Sequence, residues 1–93
     1  MLRKVKTALR ITSDDADINF EIADLIKAAK ADLTCVGITD DTSKPLIARA
    51  VILYCRLNFG QPDDYDRLER AYNSLKGQLK LSVRHQIGGG GNG

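Results

Sequence analysis

Apolar residues recur at helical spacing in four stretches of this chain, and the stretch from Leu46 to Phe59 is the most apolar of them. Its only strongly polar positions are Arg49, Arg56 and Asn58, so a helix here is hydrophobic on nearly every side. The two arginines lie seven positions apart and therefore form one narrow polar strip on an otherwise buried rod. This stretch is expected to be the central helix of the fold.

Signals at both ends bound this helix to about residues 44–60. Thr42 and Ser43 offer capping oxygens, and Pro45 fits a first helical position because its missing N–H would have no partner there. A Gly-Gln-Pro sequence after Phe59 ends the helix.

The remaining apolar pattern predicts three further helices. The first runs from Leu2 to Arg10 and places Leu2, Val5 and Leu9 on the core. The second covers about residues 14–34 behind a run of capping acids, and its apolar stripe is Ile18, Ile22, Leu25, Ile26, Ala29 and Leu33. The fourth follows Pro62 and ends near Lys80, with a seam of Tyr65, Leu68, Tyr72, Leu75 and Leu79. The predicted fold class is all-α, a small four-helix bundle.

The segment after Lys80 is ambiguous in its periodicity. Leu79 and Val83 continue the helical seam, yet Leu79, Leu81 and Val83 also alternate as in a strand. We expect an extended arm here, followed by a glycine-rich tail. The predicted organisation is a helical domain over 1–80 and an arm and tail over 81–93.

Length and charge add one constraint. The chain has 93 residues and a net charge of +2, from 14 basic and 12 acidic side chains spread along it without a dense basic block. A domain of this size buries roughly 60–65% of its surface, so a helix that is apolar all round is hard to cover within one copy. Self-association is therefore expected.

Cysteine usage and the N-terminus indicate a reducing cytosol. Cys35 and Cys55 are too few and too far apart in sequence for a metal site, and both are expected to be reduced thiols. No apolar run of signal-peptide length follows Met1, and no membrane span is expected.

No motif indicates catalysis, a metal or a cofactor. The acids that begin at Asp15 resemble the start of a calcium loop, but Phe20 stands where a glycine is needed and Ile26 where a glutamate is needed. His85 is the only histidine, and no serine or cysteine pattern supplies a nucleophile for it. The Gly88–Gly91 run lacks the Lys and Ser/Thr of a phosphate-binding loop. The protein is not expected to be an enzyme.

The order of these pieces resembles a known family. The resemblance is carried by Val5-Lys6 and Leu9-Arg-Ile11, the acids at 14, 15 and 17, Leu25-Ile-Lys-Ala-Ala29, Pro45-Leu46, Ala50-Val51, Tyr54 and Asn58-Phe-Gly-Gln-Pro-Asp-Asp64. It covers roughly residues 2–79 and points to the small head-tail connector (adaptor, or DNA-packaging) proteins of long-tailed bacteriophages and prophages. The Arg56–Gly60 stretch replaces a common aromatic and Arg-rich ending, and the glycine tail is not part of the family pattern.

The resemblance implies a structural virion protein without catalytic residues or cofactors. It implies a ring of about twelve copies below the portal, which extends the DNA channel and docks the next neck or tail-completion protein. Genomic DNA would pass through without sequence-specific binding, and no membrane is involved. The expected location is the virion neck at the portal vertex, and the host cytoplasm during assembly.

Two sets of residues are candidate contact sites. The arm is expected to bind the portal by adding an extended backbone to a partner's sheet, through Leu81, Val83, Ile87, Gly88 and Gly89. The strip of Arg49 and Arg56 is expected to face a neighbouring subunit or the lumen of the ring.

The alternative is a small helical DNA-binding regulator. Its recognition helix would be the fourth helix, with the polar side chains Arg67, Arg70, Asn73, Lys76, Gln78 and Lys80. Against this function, Asp63, Asp64 and Asp66 stand at the N-terminal end of that helix, where their carboxylates would repel phosphate.

Overall fold

The computed structural model describes the backbone of residues 1–92 and the side chains of residues 1–82. It has four helices, α1 (Leu2–Ala8), α2 (Ala16–Cys35), α3 (Pro45–Asn58) and α4 (Tyr65–Asn92). No strand occurs within the described backbone, so the all-α prediction is confirmed. Helix α3 packs against each of the other three helices, which confirms it as the central helix.

One core joins all four helices. Every predicted stripe supplies part of it, and α3 contributes most because it is enclosed on several sides. Ile38, in the loop before α3, also belongs to the core, which the sequence pattern did not indicate. Among the side chains of residues 1–82, the buried apolar ones are Val5, Ile22, Ile26, Ala29, Leu33, Ile38, Ile47, Ala48, Ala50, Val51, Leu53, Cys55, Leu57, Leu68, Tyr72 and Leu75.

The two long helices before residue 60 begin in different ways. Asp15 caps α2, because its carboxylate accepts hydrogen bonds from the backbone N–H groups of Asp17 and Ile18. The expected cap of α3 by Thr42 or Ser43 is wrong: Lys44 is the N-cap residue, and its side chain makes no capping hydrogen bond. Pro45 at the first helical position keeps the residue before it extended, which fixes Lys44 just outside the helix.

Left-handed residues end α1 and α2 in the same manner. After α2, Gly37 has φ of +84°, and the N–H of Ile38 bonds to the carbonyl of Leu33. After α1, Arg10 has φ of +58°, and the N–H of Ile11 bonds to the carbonyl of Lys6. Arg10 occupies a conformation that normally favours glycine, so α1 ends with local backbone strain.

Helix α4 differs from the prediction at its C-terminal end. The sequence predicted an extended arm after Lys80, whereas the helix continues to Asn92. The predicted change from helix to extended chain at residue 80 is therefore wrong. The helix can continue because Val83 extends its apolar seam one turn beyond Leu79 and no proline interrupts it. The division of the chain into 1–80 and 81–93 stays a prediction.

None of the helices, over the part of the chain that is described, combines the length and the apolar character needed to cross a bilayer.

Candidate assembly surfaces

A cluster of Asp32, Tyr72 and Lys76, which we call the polar tie, links α2 to α4 by hydrogen bonds. The Tyr72 hydroxyl donates a short hydrogen bond to the Asp32 carboxylate, and Lys76 Nζ lies 2.9 Å from the same oxygen. Tyr72 also meets the ring of Tyr54 on α3 edge-on, with centroids 5.5 Å apart. Tyr72 of α4 therefore contacts side chains of both α2 and α3.

The tie shifts the pKa of both of its titratable partners. Burial raises the pKa of Tyr72, and the hydrogen bond to Asp32 raises it further, so the phenol stays protonated. Partial burial also acts to raise the pKa of Asp32, but the hydrogen bonds from Tyr72 and Lys76 outweigh it and leave that pKa below its ordinary value. Asp32 is therefore an ionised acceptor at neutral pH.

The first open surface is a groove between α1 and the outer side of α3, which we call the basic groove. Cationic side chains line it, and apolar side chains form its floor; its residues are Lys4, Ala48, Arg49, Ile52, Leu53 and Arg56, with Pro45 at one end. Its volume is about 360 Å³. The sequence brought Arg49 and Arg56 onto one strip, and the structure confirms that they share this face, while Lys4 was not associated with them.

The charges of the basic groove differ in how they are compensated. Arg56 lies 4.0 Å from Asp64, which also accepts a hydrogen bond from Arg67. The Arg67 hydrogen bond is the main reason that the pKa of Asp64 lies below its ordinary value. Among the side chains of residues 1–82, no carboxylate forms an ion pair with Arg49. The groove therefore presents uncompensated positive charge over an apolar floor.

A second groove, which we call the end groove, lies where the start of α3 meets α4. Its apolar walls come from Ile38, Leu46, Ile47 and Leu79, and Ser82 stands at its edge. Leu46 is 54% exposed, although it belongs to the most apolar helix. Leu81, next to Ser82 in the chain, is 64% exposed. Large apolar side chains at one end of the bundle are typical of a contact surface.

A third open surface is the outer side of α2, which we call the acidic face. Phe20 is 76% exposed there, on the side of the helix away from the buried Ile22 and Ile26. Asp17, Glu21 and Asp24 lie three, one and four positions from it, all of them exposed. The sequence pattern had singled out Phe20 only as an obstacle to a calcium loop.

The predicted contact residues fall on different parts of the structure. Arg49 and Arg56 lie together in the basic groove, as described above. Of the predicted portal-binding arm, Leu81 has a described and exposed side chain. The side chains of Val83, Ile87, Gly88 and Gly89 lie outside the described residues.

Two of the cations that a DNA-recognition function would require on α4 are engaged within the molecule. Arg67 is engaged by Asp64, and Lys76 is engaged by Asp32, so two of its cations already have anionic partners. These pairs place carboxylates beside the cations that would have to meet phosphate.

The cysteines differ in environment. Cys35 is exposed at the end of α2, whereas Cys55 is buried in α3, and burial raises the pKa of the Cys55 thiol to about 11. Within the described residues, no three side chains of the types His, Cys, Asp and Glu come together in a metal-binding arrangement.

A model of the phage connector protein family matches residues 1–86. The chain belongs to this family. The match covers α1, α2, α3 and most of α4, and it runs past residue 79, where the resemblance seen in the sequence ended. No curated protein matches this connector protein. No solved structure matches it.

Membership in the family establishes the coarse function. The chain is a structural connector protein of a bacteriophage, which confirms the head-tail connector resemblance and the all-helical architecture expected from it. The grooves and the acidic face are therefore candidate surfaces for assembly with other virion components.

Proposed function

We propose that this connector protein forms a ring of about twelve copies below the portal, where it extends the DNA channel and docks the next neck or tail-completion protein. Assembly takes place in the host cytoplasm, and the finished ring lies at the portal vertex of the virion. DNA passes through the ring without being read. The protein acts by shape and contact, without a catalytic step.

The observation that carries this proposal is the family match over residues 1–86, taken with the surfaces that a single copy leaves open. Leu46 and Phe20 remain exposed in one copy although they are large and apolar. A closed ring covers such surfaces on every subunit and leaves no unpaired end, which an open chain of subunits cannot achieve.

We further propose that the C-terminal segment, residues 81–93, contacts the portal. Leu81 and Leu46 are both large apolar side chains that a single copy leaves exposed, and Leu46 lines the end groove together with Leu79 of α4. The backbone of α4 is helical through Asn92, so this segment is proposed to dock as a helix and not by addition to a sheet.

Truncation after Lys80, followed by co-sedimentation with portal rings, tests this role. We expect the truncated chain to keep the helicity of residues 1–80 by circular dichroism and to lose portal binding. Leu81→Ala in the full chain should weaken portal binding in the same direction, because it removes an exposed apolar contact. Lys80→Ala is the matched control, since Lys80 is an exposed neighbour without that apolar surface.

Full portal binding by the truncated chain would remove residues 81–93 from the mechanism. The ring itself is tested separately, by electron microscopy of the protein with its portal. Failure of both binding and self-association would overturn the proposed function as a whole.

A further inference from the structure

From the chemistry of two separate surfaces we infer that the acidic face of one copy docks into the basic groove of the next copy, with Phe20 as the anchor on the apolar floor. This inference rests on the proposed ring and specifies which surfaces make it. The occupant of the basic groove is thus a second copy of this chain.

Charge complementarity supports this pairing. The acidic face carries Asp17, Glu21 and Asp24 around Phe20. The basic groove carries Lys4, Arg49 and Arg56 around an apolar floor. Opposite potentials on two surfaces of one molecule favour association of unlike surfaces and disfavour pairing of either surface with its own copy.

The apolar chemistry matches in the same way. Phe20 is a single aromatic side chain, 76% exposed and surrounded by acids. Ile52 and Leu53 form an apolar floor between cations. An aromatic anchor that enters an apolar site inside a charged rim is the arrangement found at the energetic centre of protein interfaces.

The two surfaces consist of different residues on different helices, α2 for the acidic face and α1 with α3 for the basic groove. A contact between them is therefore heterologous: each copy offers its acidic face to one neighbour and its groove to the other. A heterologous contact is the type that builds a ring when the rotation between neighbours closes, as the proposed ring requires.

The test uses one variant on each surface. Phe20→Lys disables the acidic face, because it removes the aromatic anchor and brings a like charge to the cations of the groove, and Arg49→Glu disables the basic groove. Both positions are exposed, so both chains should fold, as checked by circular dichroism. Self-association of each is compared with that of the original chain by sedimentation velocity and native mass spectrometry, alone and with portal rings. Each variant should weaken self-association by about tenfold or more. Arg70→Glu is the matched control for charge, because Arg70 is exposed on α4, away from both surfaces.

Mixing the two variants is the decisive step. Each variant keeps one intact surface, so an equimolar mixture should give one-to-one heterodimers and nothing larger. Asp24→Lys combined with Arg49→Glu in one chain should recover part of the association lost in Arg49→Glu alone, because attraction is restored with reversed signs.

The outcomes separate this inference from the proposed function. Rings that form unchanged in both variants would overturn the pairing and leave the ring intact. Self-association that persists in Arg49→Glu while non-specific DNA binding is lost would assign the basic groove to DNA and overturn the pairing as well. Absence of self-association by the original chain at any concentration, with or without portal, would overturn both.

Discussion

We expect the hydrogen bond from Tyr72 to Asp32 to contribute measurably to the stability of the fold. Tyr72→Phe removes the hydroxyl that donates to the Asp32 carboxylate and keeps the ring that packs edge-on against Tyr54. Lys76 remains bonded to Asp32, so the carboxylate is not left without a partner. The substitution therefore isolates one hydrogen bond between α2 and α4.

The expected cost follows from the type of bond and its exposure. Hydrogen bonds to charged groups contribute about 1.5–3 kcal/mol to stability. The Asp32 side chain is 36% exposed, so water replaces part of the lost bond, and we expect a decrease of about 1–2 kcal/mol in the free energy of unfolding. For a domain of this length, that corresponds to a fall of roughly 4–15 °C in Tm.

The decrease in the free energy of unfolding caused by Tyr72→Phe should be larger at neutral pH than at acidic pH. The pKa of Asp32 is lowered in the folded state from an ordinary value of 3.8, so its stabilising contribution is present above that value and is lost as pH falls through the folded pKa. The difference between Tyr72→Phe and the original chain should be full at about pH 7 and should shrink below about pH 4, because the protonated carboxyl is a weaker acceptor.

Urea unfolding followed by circular dichroism measures this difference at each pH. Tyr54→Phe is the matched control, because no hydrogen bond is found for the Tyr54 hydroxyl among the described residues, and its cost should stay below about 0.5 kcal/mol. The stabilising role of the hydrogen bond from Tyr72 to Asp32 would be refuted by equal decreases in the free energy of unfolding for the two variants. A decrease for Tyr72→Phe that is the same at every pH would refute it as well.

Three further predictions concern the core and the helix ends. Leu53→Ala should lower the free energy of unfolding by about 2–5 kcal/mol in a urea titration, because Leu53 is buried in α3, and an unchanged melt would contradict the central-helix assignment. Arg10→Gly should raise it by about 0.5–1 kcal/mol, because glycine relieves the left-handed strain after α1, and a loss of stability would count against that strain. In the native protein, iodoacetamide at mildly alkaline pH should modify Cys35 and spare Cys55, whose pKa burial raises to about 11; equal labelling by mass spectrometry would show that α3 is not enclosed.

Periodicity predicted most of the fold because apolar spacing at a helical period is a local property of sequence. The stripe that starts at Ile18 became a core face, and so did the seam of α4 from Leu68 to Leu79. The prediction was wrong for Tyr65, which is 45% exposed because it lies in the first turn of α4, before the helix packs on the core. Gly37 and Gly60 adopt the left-handed conformation that ends helices. The helix termini were less predictable. Lys44 replaced Thr42 and Ser43 as the cap of α3 because the restriction imposed by Pro45 outweighs the preference for a capping oxygen.

The residues of the contact surfaces could be predicted only in part from the sequence. Arg49 and Arg56 could be placed on one strip because they belong to a single helix. Lys4 joins them only through the packing of α1 against α3, and Asp32 reaches Tyr72 across 40 positions of chain. Such contacts depend on tertiary packing, which local spacing does not encode. The exposure of Phe20 could have been predicted, since Phe20 lies off the apolar stripe of α2 and between acids.

We propose that this phage connector protein assembles as a ring on the portal. Native mass spectrometry of the protein purified together with the portal of the same phage measures that assembly. We expect one complex that contains the portal ring and about twelve copies of this chain. Portal rings without this chain, a strictly monomeric connector, and sequence-specific DNA binding in a gel-shift assay would together contradict it.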